Sequence, residues 1–230
     1  MTRTTAQVPP PGAGAPAVLG PCRLVAGGDG GGPRLAGWID ALSVHCPYLG
    51  PSLRRGLTRL HHYQVLPAAP FGDVEAAVFT AGAWAAKTVR ARRTAGRGWA
   101  CEVITLDWPA PDPQPAAILN RPHWAIKCAW APVGVLPGKF APGAGRPDRA
   151  GRTVPDPPLP VLAVRDSVPA ADPDLLRSTP GIGRVLAQAR EDGRDILGSV
   201  PGVREAGDPL QAWPAINHWA SHLTDLESSS

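Results

Sequence analysis

Residues 56–66 read GLTRLHHYQVL and residues 100–108 read ACEVITLDW. Both stretches are rich in aliphatic, β-branched and aromatic residues, which predicts two strands. Between them, from Asp73 onward, apolar residues recur at helical spacing, and this stripe predicts an amphipathic helix with a basic carboxyl end. The members of the stripe are Val74, Val78, Ala81, Ala85 and Val89. A strand, a helix and a second strand therefore form the centre of the predicted fold.

Three further stretches have the character of strands. VGVLPGKF (133–140) is a short candidate, and LPVLAVRD (159–166) is a compact apolar one. HWAIKCAW (123–130) alternates Trp, Ile, Cys and Trp with Lys127 and small residues, which favours a strand, with a helix as the alternative.

Helices are predicted on either side of these strands. A short helix begins at Leu35 and ends before Pro47, and two more follow at 183–192 and 210–226. This order of elements predicts an α+β fold, a single domain whose mostly antiparallel sheet has flanking helices.

Proline and glycine account for 29 and 26 of the 230 residues, about 24% of the chain. This content excludes a helix bundle or a coiled coil, and it is concentrated in two places. We expect residues 1–34 to form a disordered leader and residues 35–227 to form the domain, with a Pro/Gly-rich loop at 142–158.

Charge and hydropathy restrict the compartment and the partners. The net charge is only +4, and the chain has neither the apolar run of a signal peptide nor a membrane span, so we expect a cytoplasmic protein with no membrane partner. The four cysteines lack zinc-knuckle spacing. Arginine far outnumbers lysine, which suits bidentate recognition of carboxylate or phosphate.

Two places along the chain are candidates for substrate binding. Arg165 and Asp166 close the apolar strand, where Arg165 could clamp a substrate carboxylate; a structural salt bridge is the alternative. Cys46 follows His45, which would suit a Cys–His nucleophile pair. Because neighbouring side chains usually point apart, the alternative for Cys46 is a half-buried thiol that packs a turn.

Two histidine pairs are candidate metal or haem ligands. His218 and His222 are one helical turn apart, the spacing with which two imidazoles can share a metal, and a solvated helix face is the alternative. His61 and His62 are adjacent in a predicted strand and must face opposite sides, so at most one can enter a pocket.

One element indicates nucleic acid. LLRSTPGIGRVLAQAR (175–190) is similar to a helix-hairpin-helix element, whose Gly-hydrophobic-Gly hairpin presents backbone N–H groups to a phosphate. ILGSVPGVREAG (196–207) looks like a degraded second copy, with Arg204 at the position where the hairpin motif has Gly. The basic helix at 84–97 could add phosphate contacts, so a nucleic-acid-binding module is an alternative function.

Three patches together resemble a known family. They are HCPYLGPSLRRGLTRL (45–60), VGVLPGKFAP (133–142) and PLPVLAVRDSVPAADPDLL (158–176). They resemble an uncharacterised bacterial domain-of-unknown-function family with Cys-Pro-Phe, Gly-x-Phe-His-Pro and Pro-x-Pro-Leu-Leu-Ala-Ile-Arg elements. That family is distantly similar to the YqcI/YcgG-like haem proteins, some of which are amine or guanidine N-oxygenases.

The resemblance implies a tailoring protein of small-molecule biosynthesis, a haem-dependent oxygenase that acts on an amino-acid-like substrate. Arg165 would then orient the substrate carboxylate. The family's His before Pro would be the axial ligand, but this chain has Ala141 before Pro142. The ligand would then come from His61, His62, His218 or His222. Alternatively, the missing histidine at Ala141 favours a non-catalytic partner protein.

Overall fold

Within the residues that the structure describes, six strands pair into one sheet. The structure is a computed structural model that describes residues 14–25, 32–109, 114–145, 147, 148, 150–168, 172, 197, 200–206, 208 and 210–228. The strands are β1 (Val18–Leu19), β2 (Cys22–Leu24), β3 (Thr58–Val65), β4 (Cys101–Asp107), β5 (Val135–Phe140) and β6 (Val161–Asp166).

The strand order in the sheet is β1-β2-β3-β4-β6-β5. Every neighbouring pair is antiparallel except β3 and β4, which are parallel. A parallel pair needs a long crossover, and the helix predicted between these strands supplies it. The predicted α+β fold with a mostly antiparallel sheet and flanking helices is confirmed.

The helices lie on both faces of the sheet. They are α1 (Gly32–Leu42), α2 (Leu49–Arg54), α3 (Phe71–Thr94), α4 (Asn120–Trp130), α5 (Val203–Ala206) and α6 (Trp213–Ser228), with 3₁₀ turns at Gln114–Leu119 and Ala131–Val133. α3 packs on one face together with α4, and α4 contacts α6. All five residues of the predicted apolar stripe on α3 are buried.

The opposite face of the sheet carries a second apolar cluster. It is formed by α1, the first residue of α2 and one face of β4 and β6, and its members include Leu35, Trp38, Leu49, Val103 and Val161. Because side chains alternate along a strand, Leu162 and Val164 of β6 face α3, whereas Val161 and Ala163 face α1.

The favoured strand at 123–130 is wrong, because these residues lie in α4. The large residues alone alternate as in a strand, whereas the buried side of α4 also includes Ala125 and Ala129. Pro122 stands in the first turn, where its missing N–H costs no helical hydrogen bond.

The predicted leader also needs correction, since residues 14–25 belong to the fold. β2 pairs with β3 through Cys22 and Val65, and Cys22 is buried. The Tyr63 hydroxyl donates a hydrogen bond to the Pro16 carbonyl over 2.9 Å. The surrounding Pro and Gly residues concealed this short hairpin, which needs β3 as its partner.

Some predictions fall outside the described residues. These are most of the leader, the helix at 183–192 and the hairpin element at 175–190. Near the carboxyl end, the predicted helix at 210–226 corresponds to α6. Among the described helices, none has both the length and the apolar composition needed to cross a membrane.

Candidate functional site

A cavity of about 540 Å³ lies on the α1 side of the sheet. Its floor is formed by β4, β6 and β5, and its walls by α1, α2 and the loop at 142–158. The lining is mostly apolar, with Cys46, Cys101 and Arg165 among its polar groups. Small-molecule sites have this character and a volume of roughly 300–1,000 Å³.

The floor is hollow because its middle row has little side-chain volume. Ala163 pairs with Val103 on one side and with Gly138 on the other. Ala163 and Gly138 are both partly exposed, although β6 has strands on both sides. A methyl group on Gly138 would meet Phe140 Cε2 at 3.5 Å, an ordinary contact, so a longer side chain there would extend into the cavity.

Aromatic rings form much of the cavity wall. Trp38 of α1 meets Phe140 of β5 edge-on, with ring centroids 5.4 Å apart, and its indole N–H donates to the Pro155 carbonyl over 2.8 Å. Tyr48 and Trp99 form a second edge-on pair at 6.2 Å. With its N–H satisfied by the protein, Trp38 can offer a ligand an apolar ring.

The predicted Pro/Gly-rich loop is fastened against α1 as a wall of the cavity. Pro147 and Val154 of this loop line the cavity. Asp148 accepts hydrogen bonds from the backbone N–H groups of Ala150 and Arg152, each over 2.9 Å, and lies 2.9 Å from His45 Nδ1. Partial burial would raise the pKa of Asp148, but the hydrogen bonds from Arg152 and His45 outweigh it and hold that pKa below its ordinary value.

The contact between His45 and Asp148 shows whether His45 can serve the predicted Cys–His pair. The His45 ring is directed to Asp148, whereas Cys46 lines the cavity and is half-buried. The two neighbouring side chains point to different partners, as the alternative for Cys46 required. No nucleophile–base pair is therefore assigned to them.

Arg165 and two cysteines meet at one end of the floor. Cys101 stands directly opposite Arg165 in the β4–β6 pairing. Burial raises the pKa of the Cys101 thiol to about 12, so Cys101 is a neutral thiol at pH 7. Cys46 lines the same cavity and is half-buried.

The carboxylate that Arg165 clamps belongs to the protein. Its two terminal nitrogens donate to the two oxygens of Asp172 over 2.9 and 2.7 Å, and Asp172 is buried. Burial would lower the pKa of Arg165, but the Asp172 carboxylate outweighs it and raises that pKa. The predicted salt-bridge alternative for Arg165 is therefore present.

Asp166 has its main partner on the other face of the sheet. Arg93 of α3 donates to its Oδ1 over 3.1 Å. Arg92, on the same helix, lies 3.1 Å from the buried Glu102 carboxylate. Two arginines of the basic helix therefore contact protein carboxylates, which leaves fewer of its charges for a phosphate backbone.

Trp99, which the sequence analysis did not single out, has an unusual backbone at the cavity. Its φ is +70°, and no other described non-glycine residue has a positive φ. A bulky residue in this region is strained. The buried Ser52 hydroxyl donates to the Trp99 carbonyl over 2.8 Å, and the side chain remains 37% exposed. The fold thus holds an exposed indole against the cavity at an energetic cost.

Three basic side chains lie at the β5 end of the cavity. They are His123 and Lys127, one turn apart on α4, and Lys139 on β5. Lys139 Nζ donates to the Asn120 side-chain carbonyl, and Lys127 Nζ lies 5.5 Å from the Trp124 ring centre. They place two lysine ammonium groups and an imidazole beside a mostly apolar chamber.

None of the four predicted haem ligands lines the cavity. His61 faces α3 with its Nε2 2.6 Å from Glu102 Oε2, and His62, on the other side of β3, lies 2.8 Å from Thr105 Oγ1. Burial lowers the pKa of His62, although the Asp107 charge opposes this. The two residues face opposite sides, as predicted.

His218 and His222 are exposed on α6 and contact each other. The four histidines thus lie at three separate places, and none is at the chamber that could take an organic group. These four residues therefore do not fit haem at this cavity.

Comparison with known proteins gives no match. No protein-family model matches the chain, and searches of curated proteins and of solved structures find no match either. The case for a function therefore rests on the geometry of the cavity.

Proposed function

We propose that this protein binds an amino-acid-like small molecule with a large apolar or aromatic body, and that it serves small-molecule biosynthesis as a tailoring protein. The observation that carries the proposal is the hollow floor at Ala163 and Gly138 beneath aromatic walls. A core would normally fill such a space, because protein interiors are close-packed. An open apolar chamber between packed layers is suited to a ligand.

The walls favour a planar body. Trp38, Tyr48, Trp99 and Phe140 all line the cavity, and rings of this kind stack or meet edge-on with aromatic groups. The strain at Trp99 supports the same interpretation, because strained backbone persists where the surroundings impose it and often lies at ligand sites.

The charges favour an anionic end. Lys127 and Lys139 stand at the β5 end of the chamber, so a carboxylate placed there would lie beside two ammonium groups. Arg165 binds Asp172 bidentately. We therefore place the ligand carboxylate at the β5 end, where two cationic side chains line the cavity.

The test uses dansyl-phenylalanine, a fluorescent aromatic carboxylate of amino-acid type. The native protein should give a saturable rise in dansyl emission, and Gly138→Leu should weaken binding by about tenfold or more, because its side chain occupies the chamber. Leucine suits the extended backbone of a strand better than glycine, so this variant should fold. Gly72→Leu is the matched control, because Gly72 is exposed and its added Cβ meets no atom within 4 Å.

The charge is tested with dansyl-phenylalaninamide, which lacks the carboxylate. The native protein should prefer the acid, and the double variant Lys127→Met, Lys139→Met should lose that preference while still binding the amide. The proposal is contradicted if the native protein shows no saturable binding, or if folded Gly138→Leu binds dansyl-phenylalanine as tightly as the native protein does.

A further inference from the structure

His218 and His222 form a paired imidazole site on the surface of α6, away from the cavity. Both side chains are exposed. Their Nε2 atoms lie 3.1 Å apart, and the rings meet edge-on with centroids 4.3 Å apart. We infer that this pair is a bidentate site for a divalent transition-metal ion of the Cu²⁺, Ni²⁺ and Zn²⁺ group.

The separation of the two nitrogens fits one shared ion. Metal–imidazole bonds are about 2.0–2.1 Å long, so two such ligands lie about 2.9 Å apart at a right angle and about 3.3 Å apart at a tetrahedral angle. The observed 3.1 Å lies between these two values. The two nitrogens therefore already lie at the separation that one shared ion requires.

Metal binding would replace an existing hydrogen bond. At 3.1 Å, one Nε2 carries a proton and donates it to the lone pair of the other. On binding, the donor ring shifts its proton to Nδ1 through solvent, and both Nε2 lone pairs bind the ion. The exposure of both rings gives water access to that exchange.

The surroundings define the class of ion. In the described part of the chain no group of three or more His, Cys, Asp or Glu residues is placed to hold a metal, so the described residues supply two nitrogens and leave coordination positions for water or a second molecule. Imidazole suits Cu, Ni and Zn, whereas Mg²⁺ and Ca²⁺ take oxygen ligands. The nearby Ser221 hydroxyl donates to the Asn217 backbone carbonyl over 2.8 Å, so its proton is engaged within the helix.

Titration calorimetry of the tag-free full chain with Ni²⁺ tests the inference. The native protein should bind one Ni²⁺ ion. His218→Ala and His222→Ala should each bind Ni²⁺ about tenfold or more weakly, because a single imidazole lacks the second ligand that is held beside it at high effective concentration. Asn217→Ala, on the same helix, should bind as the native protein does. Mg²⁺ should give no binding heat at this site.

Two outcomes would overturn the inference. One is a native protein that binds no Ni²⁺ at millimolar concentration, and the other is unchanged Ni²⁺ affinity in both alanine variants, which would place the ion elsewhere. Circular dichroism of each variant checks that its helical content is unchanged. The native protein should unfold at a higher temperature with Ni²⁺ than without it, since an ion bound only by the folded state stabilises that state.

Discussion

At the scale of single residues, Trp99 shows how the fold uses a conformation that its amino acid disfavours. Its φ of +70° places it in the left-handed region, where side chains other than glycine cost about 1–2 kcal/mol. Ser52 and Asp166 contact its backbone from two elements, and Arg55 lies 4.8 Å above its ring. The neighbouring structure, rather than local preference, determines this backbone.

The strain at this residue can be measured with two variants that both remove the indole. Trp99→Gly should be more stable than Trp99→Ala by about 1 kcal/mol, because glycine adopts positive φ freely and alanine does not. Urea unfolding gives the comparison, and both variants should bind dansyl-phenylalanine more weakly than the native protein. An alanine variant as stable as the glycine variant would show that the backbone carries no such strain.

At the scale of elements, several of the hydrogen bonds that hold the Pro/Gly-rich loop converge on one carboxylate. Asp148 joins the loop's own backbone at Ala150 and Arg152 to His45, which follows α1. Arg152 extends the connection by donating to the Val44 carbonyl over 3.1 Å. Composition predicted a loop here, and these hydrogen bonds make it a wall of the cavity.

This carboxylate should make the loop's attachment sensitive to acid. Because the pKa of Asp148 is lower in the folded protein than its ordinary value of about 3.9, its contribution to stability is present above that pH and is lost as the pH falls through the folded pKa. The difference in unfolding free energy between the native protein and Asp148→Asn should therefore be largest near neutral pH and shrink below about pH 4.

Urea titrations at several pH values measure that difference. Hydrogen exchange at the amides of Ala150 and Arg152 should also be faster in Asp148→Asn, because both amides lose a charged acceptor. Asp156→Asn, an exposed change in the same loop, is the control. A pH-independent difference between the native protein and Asp148→Asn would contradict the role given to this carboxylate.

At the scale of the whole molecule, α3, α4 and the sheet meet at one glycine. A Cβ on Gly82 of α3 would lie 2.2 Å from Ile126 Cδ1 of α4 and 2.9 Å from Leu162 Cδ2 of β6. Such distances are inside van der Waals contact, so α3, α4 and β6 pack this closely around a residue that has no side chain. Ala125 and Ala129 line the same side of α4.

A larger side chain at Gly82 should push α3 away from α4 and the sheet. Gly82→Leu should lower the free energy of unfolding by about 1–3 kcal/mol or more, the cost of overpacking a core. Adding Ile126→Ala should recover part of the loss, since neighbouring substitutions that share a space are not additive. Gly72→Leu, in the first turn of the same helix, is the control, and equal urea midpoints for Gly82→Leu and the native protein would contradict the packing.

Much of the fold could be predicted from local pattern. The stripe on α3 recurs with the helical period, and the β3, β4, β5 and β6 stretches are short apolar runs, so each is visible without its partners. α4 and the β1–β2 hairpin could not be predicted in this way. Ala125 and Ala129 on the buried side of α4 are small and add little to an apolar pattern, and the hairpin is too short to be stable without β3.

Predicting the candidate site required the tertiary structure to a greater extent than predicting the fold did. The sequence alone identified Cys46 and Arg165, which the structure brings to one cavity, but it could not show that Arg165 is paired with Asp172 or that the candidate histidines lie elsewhere. It also gave no signal for Trp99, Ala163 or Gly138. The sequence by itself determined most of the elements that form, because periodicity and propensity are local. Only the tertiary structure decided where the chamber opens, because that depends on which side chains strands and helices distant in sequence place face to face.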